Sequence, residues 1–247
     1  MSEVVIIIPT RLAATRLPNK PLLKIDGKEM ILHVFERANQ VKNAKTIIAT
    51  PDKEIHELIQ AKGGLSYLTE KNHETGTDRV FEVYEKMFKF VPEIIINLQG
   101  DMPNIVTSDI ENLINYMKTS KTLLATLASD LTKEELTNSN VVKVEIKNSF
   151  EQSQEFKKAI DFFRVSDNLN SKTLYHHIGI YAFKKDCLKK FVNLPRSKME
   201  KERNLEQLRA FENDIEIKVG YVKNMPLSVD TAEDLQAVKK LMENSNG

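Results

Sequence analysis

Strand-like and helix-like patterns alternate through the first half of the chain, and few folds accommodate that alternation. "EVVIII" (3–8), "TIIAT" (46–50), "LSYL" (65–68) and "EIIINLQG" (93–100) are short runs rich in aliphatic and β-branched residues. Each reads as a strand, the first buried on both faces. Amphipathic segments lie between them. In "EMILHVFERANQV", Ile31, Val34, Phe35 and Ala38 recur at helical spacing. Pro51 and Asp52 open a helix through Ile55, Leu58 and Ile59 that stops at Gly63-Gly64. "TDRVFEVYEKMF" places Val80, Val83, Tyr84 and Met87 on one face, and "SDIENLINYM" adds the next helix. This pitch means βαβ units: an α/β fold with a mostly parallel central sheet flanked by helices. Ligands on such sheets bind beyond the carboxyl ends of the strands.

The second half is less regular. "LLATLAS", "VVKVEI", "KAIDFFRV", "YHHIGIYAF" and "DIEIKVGYV" read as strands, and residues 147–174 are polar. "KDCLKKFV" reads as a helix. Ser197 followed by Glu200 is a capping-box signature for another, carried on through Leu205, Glu206, Gln207 and Leu208. The last helix, "VDTAEDLQAVKKLM", turns Leu235, Val238 and Leu241/Met242 inward. With no repeat and no low-complexity linker, residues 1–247 read as a single domain. Roughly residues 130–200 form an insertion or a subunit contact within it.

Charge narrows the functions. Thirty-six Lys+Arg against 35 Asp+Glu give a net charge of +1, without the basic excess of a general nucleic-acid binder. The single cysteine, Cys187, supports no internal disulfide framework and suits core packing in a reducing compartment. No secretory leader is recognisable, and no apolar run approaches the roughly 18 residues of a membrane span. A soluble cytoplasmic protein with no membrane and no nucleic-acid partner is expected.

Against that balance, "IIIPTRLAATRLPNKPL" gathers Arg11, Arg16 and Lys20 without an acid, where the first strand ends. Guanidinium forks and an ammonium point charge suit phosphate oxygens, and Pro9 and Pro18 stiffen the loop. Neither a Walker loop nor a G-x-G-x-x-G fingerprint occurs, so side chains would have to hold the polyanion. "NLQGDMP" puts Asp101 after the fourth strand, and "LSVDTAEDL" puts Asp230 before the last helix. Two carboxylates converging on phosphates would hold Mg²⁺. The plainer alternatives are a turn aspartate at Asp101 and a helix cap at Asp230. "NHETGTDR" offers Thr75, Gly76 and Thr77 before a helix, where capping is again the alternative. His176 and His177 are adjacent on a strand, face opposite ways and cannot share a metal.

Six stretches occur in the order found in the 3-deoxy-manno-octulosonate (Kdo) cytidylyltransferases: "IIIPTRLAATRLPNKPL", "HETGTDR", "NLQGDMP", "HIGIYAF", "LEQLR" and "VDTAEDL". The chain resembles that family over nearly its whole length. The resemblance implies a nucleotide-diphospho-sugar transferase (Rossmann-like) fold with an inserted dimerisation segment, and a homodimer. It implies Mg²⁺-dependent transfer of CMP from CTP to the anomeric hydroxyl of Kdo, giving CMP-Kdo and pyrophosphate, on the route to lipopolysaccharide. Carried onto this chain, Arg11, Arg16 and Lys20 would bind the triphosphate, with Arg16, Lys20 and Asp101 carrying catalysis. Pro9, Thr10, Thr75, Gly76 and Gln99 would cradle the cytidine. Asp101 and Asp230 would hold Mg²⁺. Gln99, His177, Tyr181, Glu206 and Gln207 would face the sugar acid. The chain departs from the family at Ala14, Asn19, Met102 and Ala232, where serine, glycine, an acid and proline are common. It departs more at "FFRVSDNL", where only Arg164 keeps the family's basic pattern. The alternatives are a cytidylyltransferase for sialic acid or an amino-Kdo analogue, and a non-catalytic nucleotide-binding module.

Overall fold

The computed structural model describes residues 3–13, 16–151, 155–165 and 173–245. The departure at Ala14 and residues 166–169 of "FFRVSDNL" lie outside them. In chain order the first elements are β1 (Val4–Pro9), β2 (Lys24–Ile25), β3 (Lys28–Glu29), α1 (Met30–Asn39), β4 (Ala44–Thr50), α2 (Lys53–Ala61) and β5 (Ser66–Leu68). There follow α3 (Gly76–Phe88), β6 (Ile94–Leu98), α4 (Thr107–Thr119), β7 (Leu124–Ser129), α5 (Lys133–Thr137), β8 (Lys143–Ile146), β9 (Phe156–Phe163) and β10 (Leu174–Lys184). The last are α6 (Lys185–Asn193), α7 (Lys198–Arg203), α8 (Leu208–Phe211), β11 (Ile217–Tyr221) and α9 (Ala232–Ser245). The chain divides into two compact units, Met1–Glu111 with Pro226–Gly247, and Asn112–Met225.

In the first unit the main strand order is β5-β4-β1-β6, with parallel pairings throughout, and β2 and β3 form a separate antiparallel pair. All six residues of β1 and all five of β6 are buried, as continuous apolar runs require when both faces are covered. The ladder between β1 and β4 runs from Val4↔Ala44 to Pro9↔Ala49. α3 buries Thr77, Val80, Val83 and Tyr84. Met87, expected on that face, is 40% exposed: it lies in the last turn, beside the left-handed Lys89 that ends the helix. In α9, Leu235, Val238 and Met242 are buried, while Leu241 is exposed. Positions i, i+3 and i+7 make one stripe, and Leu241 falls outside it.

That stripe ties the end of the chain to its beginning. Leu235, Val238, Met242 and Val229 form a buried cluster with Ile25 and Met30, against which Leu17 and Leu23 pack. The backbone is pinned as well, with Val229 N–H donating to Asp101 O at 2.9 Å and Leu227 N–H to Asn104 Oδ1 at 2.9 Å. Asn19, at a position where the family favours glycine, has φ 56°. Asparagine enters that left-handed region at modest cost, so the departure leaves the turn intact.

The second unit has a mixed sheet in the order β10-β7-β11-β9-β8. β7 and β11 run parallel, and the other pairings are antiparallel. β8 also pairs with the start of β10, so these five strands close on themselves. A bulge interrupts the β10–β7 register between Ile178 and Tyr181, and Gly179 within the strand pattern is its sequence sign. The helix expected through Glu206 and Gln207 is broken. α7 has the expected Ser197–Glu200 capping box but ends at Asn204, whose φ is 53°. Glu206 and Gln207 therefore stand in a turn before α8, although Leu205 and Leu208 are buried as the pattern required. Cys187 is buried in α6. Among the described residues, no helix is long and apolar enough to cross a membrane.

Candidate active site

The carboxyl ends of β1 and β6 open onto a cavity of about 360 Å³ in the first unit. Pro9, Thr10, Arg11, Arg16, Lys20, Thr75, Gly76, Gln99, Asp101 and Asp230 all line it. Those are the residues expected at the nucleotide and the metal. Local chemistry explains how each arrives. β1 ends at Pro9, and one further bond, Thr10 N–H to Ala49 O at 3.0 Å, closes its pairing with β4 before the chain leaves the sheet. Asp52, expected to open α2, makes no side-chain cap; its carboxylate instead accepts Leu12 N–H at 2.8 Å and anchors the departing loop. A single 3-10 turn, Lys20–Leu22, then delivers Lys20.

Lys20 is the centre of the charged group. Its Nζ donates to Asp101 Oδ2 at 2.8 Å and to Asp230 Oδ1 at 3.0 Å. Arg16 Nη2 lies 3.0 Å from the other oxygen, Asp230 Oδ2. Burial alone would lower the Lys20 pKa, but the charges and hydrogen bonds of Asp101 and Asp230 outweigh it and hold the ammonium above its ordinary value. For Asp230, burial acts upward, and the Lys20 and Arg16 charges overcome it and hold the carboxyl below its ordinary value. Asp230 does not cap α9. Thr231 Oγ1 accepts Asp234 N–H, while Asp234 Oδ2 accepts the N–H groups of Asp230 and Thr231. The capping function is filled by its neighbours, and the Asp230 carboxylate faces the cations.

Thr75 does cap. Its Oγ1 accepts Asp78 N–H and its backbone N–H reaches Asp78 Oδ2, a complete capping box for α3. The hydroxyl also donates to Asp78 Oδ2 at 2.8 Å, so it is committed to the helix. Thr77 Oγ1 is buried and accepts from Asn97 Nδ2 at 3.1 Å; Asn97 Oδ1 in turn accepts from Gln99 Nε2 at 3.0 Å. That relay orients the Gln99 amide at the cavity wall.

Arg79, His73 and Asn97 also shape the cavity, and sequence reasoning assigned them no role. Arg79 is 3% exposed and donates to Thr69 Oγ1, to Glu70 O at 2.9 Å and to Lys71 O at 3.3 Å, tying down the loop that leads to Thr75. Burial lowers its pKa, and the Arg11 charge lowers it further against the pull of Glu82 and Asp52. His73 Nε2 bonds Glu82 Oε2 at 2.6 Å. The sign of Asn97 was a polar residue inside the apolar run "IIINL", two positions before Gln99 and so on the same face.

The residues expected at the sugar acid, apart from Gln99, lie in the second unit. His177 is buried with Nε2 3.0 Å from Thr126 Oγ1. The threonine donates to Ile180 O at 2.7 Å, so the imidazole nitrogen is the donor in its own bond. Burial, with the His176 and Arg164 charges, pushes the His177 pKa down to about 3. The His177 and Tyr181 rings lie 5.5 Å apart, and Phe162 stands edge-on to His177 at 5.0 Å. Burial, and then the Glu206 charge, raise the Tyr181 pKa. Gln207 is 5% exposed. His176 bonds Glu135 Oε1 at 3.0 Å, so the adjacent histidines serve different partners.

A parallel α/β sheet with clustered cations and two carboxylates at its carboxyl edge defines the class, an α/β protein whose charged groups converge where such sheets bind ligands. The cytidylyltransferase family model matches residues 5–217. A 3-deoxy-manno-octulosonate cytidylyltransferase of Brucella canis is 40% identical over 235 residues, covering 94% of this chain and 93% of the relative. That of Bartonella quintana is 40% identical over 243 residues, covering 96% and 98%. A solved structure of CMP:2-keto-3-deoxy-manno-octonic acid synthetase complexed with CTP superposes with a TM-score of 0.86 at 36% identity, covering 98% of this chain and 99% of that one. This chain belongs to the 3-deoxy-manno-octulosonate cytidylyltransferase family.

Proposed function

We propose that this enzyme transfers CMP from CTP to the anomeric hydroxyl of 3-deoxy-D-manno-octulosonate, giving CMP-Kdo and pyrophosphate for lipopolysaccharide synthesis. The observation that carries the reading is the convergence of Lys20, Arg16, Asp101 and Asp230 in one cavity at the sheet's ligand edge. Arg11, Arg16 and Lys20 bind the triphosphate. Pro9, Thr10, Thr75, Gly76 and Gln99 frame the cytidine, and Gln99, His177, Tyr181, Glu206 and Gln207 serve the sugar acid. The hydroxyl oxygen forms the new bond to the α-phosphorus as the bond from that phosphorus to the α,β-bridging oxygen breaks; the hydroxyl proton is released to water, and the bridging oxygen leaves with pyrophosphate. Negative charge grows on the departing pyrophosphate, where fixed cations stabilise it more than in the ground state.

The donor set also fits Mg²⁺. Two carboxylates already converge on one cation, the Lys20 ammonium, and Mg²⁺ uses one or two carboxylates with phosphate oxygens and water. Asp101 and Asp230 would hold it, and the ion would supply charge stabilisation at the phosphates and acidify a coordinated hydroxyl. Both compact units serve one catalytic function in this reading, and about residues 130–200, which fall in the second unit, supply the contact of a homodimer. The free, buried Cys187 suits the reducing cytoplasm.

Pyrophosphate release with CTP across a panel of sugar acids tests the reading. Kdo is expected to give the highest kcat/KM, above sialic acid and an amino analogue of Kdo. A preference for either of those overturns the substrate, and no release with any of them overturns the catalytic reading.

A further inference from the structure

We propose that Lys20 couples metal binding to triphosphate binding: its ammonium holds the shared focus of Asp101 and Asp230 and has to leave it before a divalent ion can use both carboxylates. The proposal rests on the metal assignment made above. The ammonium reaches both acids at once, at 2.8 and 3.0 Å, and Arg16 takes the second oxygen of Asp230. Three carboxylate oxygens are thus held by the chain's own cations. An ammonium and a divalent ion cannot share that focus, because like charges at such separations repel strongly away from bulk water.

Lys20 also has somewhere to go. Its side chain lines the same cavity as Arg11, Arg16 and Arg79, which together favour a polyanion. Its four-carbon stem can turn about its own bonds while the turn below stays fixed through Leu22 N–H to Asn19 O at 2.9 Å and Leu23 N–H to Lys20 O at 3.2 Å. An arriving triphosphate offers the ammonium new oxygen partners and releases the carboxylates to the metal. Such coupling is reciprocal, so metal on the carboxylates favours Lys20 on the phosphates. Without nucleotide, the protein keeps its own cation in place and binds divalent ions weakly.

A static clamp would have the same distances, but it responds differently when the charge is removed. Mn²⁺ alone is titrated into nucleotide-free protein, with free Mn²⁺ read by electron paramagnetic resonance. Lys20→Gln is expected to tighten Mn²⁺ binding at least about tenfold over wild type. Lys20→Arg keeps the charge and should keep the weak wild-type affinity. Adding Asp101→Asn to Lys20→Gln should abolish the gain, which locates it, and thermal unfolding confirms that each variant is folded. If Lys20→Gln binds Mn²⁺ no more tightly than wild type, while Asp101→Asn still weakens the wild-type affinity, the carboxylates are a metal site and the coupling role falls. If Asp101→Asn changes Mn²⁺ binding in neither background, the metal assignment and the coupling role fall together.

Discussion

Lys20 finds its two acidic partners 81 and 210 positions away along the chain. Its place at the strand edge was readable from sequence: a cation cluster is more often a solvated loop, and its position after a buried strand, at the edge where ligands bind, is what favours a polyanion. Which acids it would meet was not, since that depends on the packing of α9 against the opening loop. Arg79 was hidden for a different reason: an arginine one residue past a capping acid looks like a solvated helix face until its carbonyl partners are known. Asp101→Asn is expected to lower turnover by about a hundredfold or more while the protein stays folded, because the amide keeps the shape and loses the charge. Lys20→Ala should lower kcat and kcat/KM together, as steady-state rates with CTP will show; a rise in KM alone would make Lys20 a nucleotide anchor only. The ion pairs also set a pH window. Asp230 is held below its ordinary value, so its contribution is complete above pH of about 3.9 and is lost as the pH falls through the folded value. Lys20 is held above its ordinary value, so its share is complete below pH of about 10.4 and is lost as the pH rises through the folded value. Thermal unfolding of Asp230→Asn should therefore lack part of the acid-side loss seen in wild type.

Helices and strands were legible wherever one residue type dominated a period. They were less so where a single backbone angle decided the outcome. The α7 pattern continues through Leu205 and Leu208, so periodicity alone carries the helix on; left-handed Asn204 stops it and sets Glu206 and Gln207 on a turn. The break has a buried support. Glu200 is 1% exposed and accepts from Arg209 Nε at 2.9 Å, Arg209 Nη2 at 2.7 Å and Arg196 Nε at 3.0 Å. Burial acts to raise the Glu200 pKa, and hydrogen bonds and charge from Arg209, with help from Arg196 and Ser197, bring it below the ordinary value. Removing one partner leaves the other's charge buried. Glu200→Gln is expected to cost about 3 kcal/mol at neutral pH, read from urea midpoints. In wild type that contribution is complete above pH of about 4.3 and disappears as the pH falls through the folded value. The difference between wild type and Glu200→Gln should therefore shrink in acid.

Across the whole molecule, the proposed homodimer makes a claim about surface. Ile160 and Val165, within the segment assigned to subunit contact, are 48% and 65% exposed in the single chain. These two side chains are where the proposed contact can be probed. Ile160→Asp with Val165→Asp is expected to shift sedimentation from twice the 28.3 kDa chain mass to once that mass, whereas the same change at exposed Leu65 should not. A monomeric wild type would remove the contact assignment. Lys143 bears on the whole molecule in another way. Its side chain is fully buried, and its ammonium donates to Asn138 O at 2.6 Å, Val141 O at 3.1 Å and Arg164 O at 2.6 Å. All three donor positions are filled by backbone, and burial lowers its pKa. An acylating reagent that marks surface lysines within seconds has no path to this nitrogen while the strands around it are closed. Mass spectrometry of the peptide bearing Lys143 then acts as a clock: its acylation should rise at the rate at which the second unit opens, and remain silent before that.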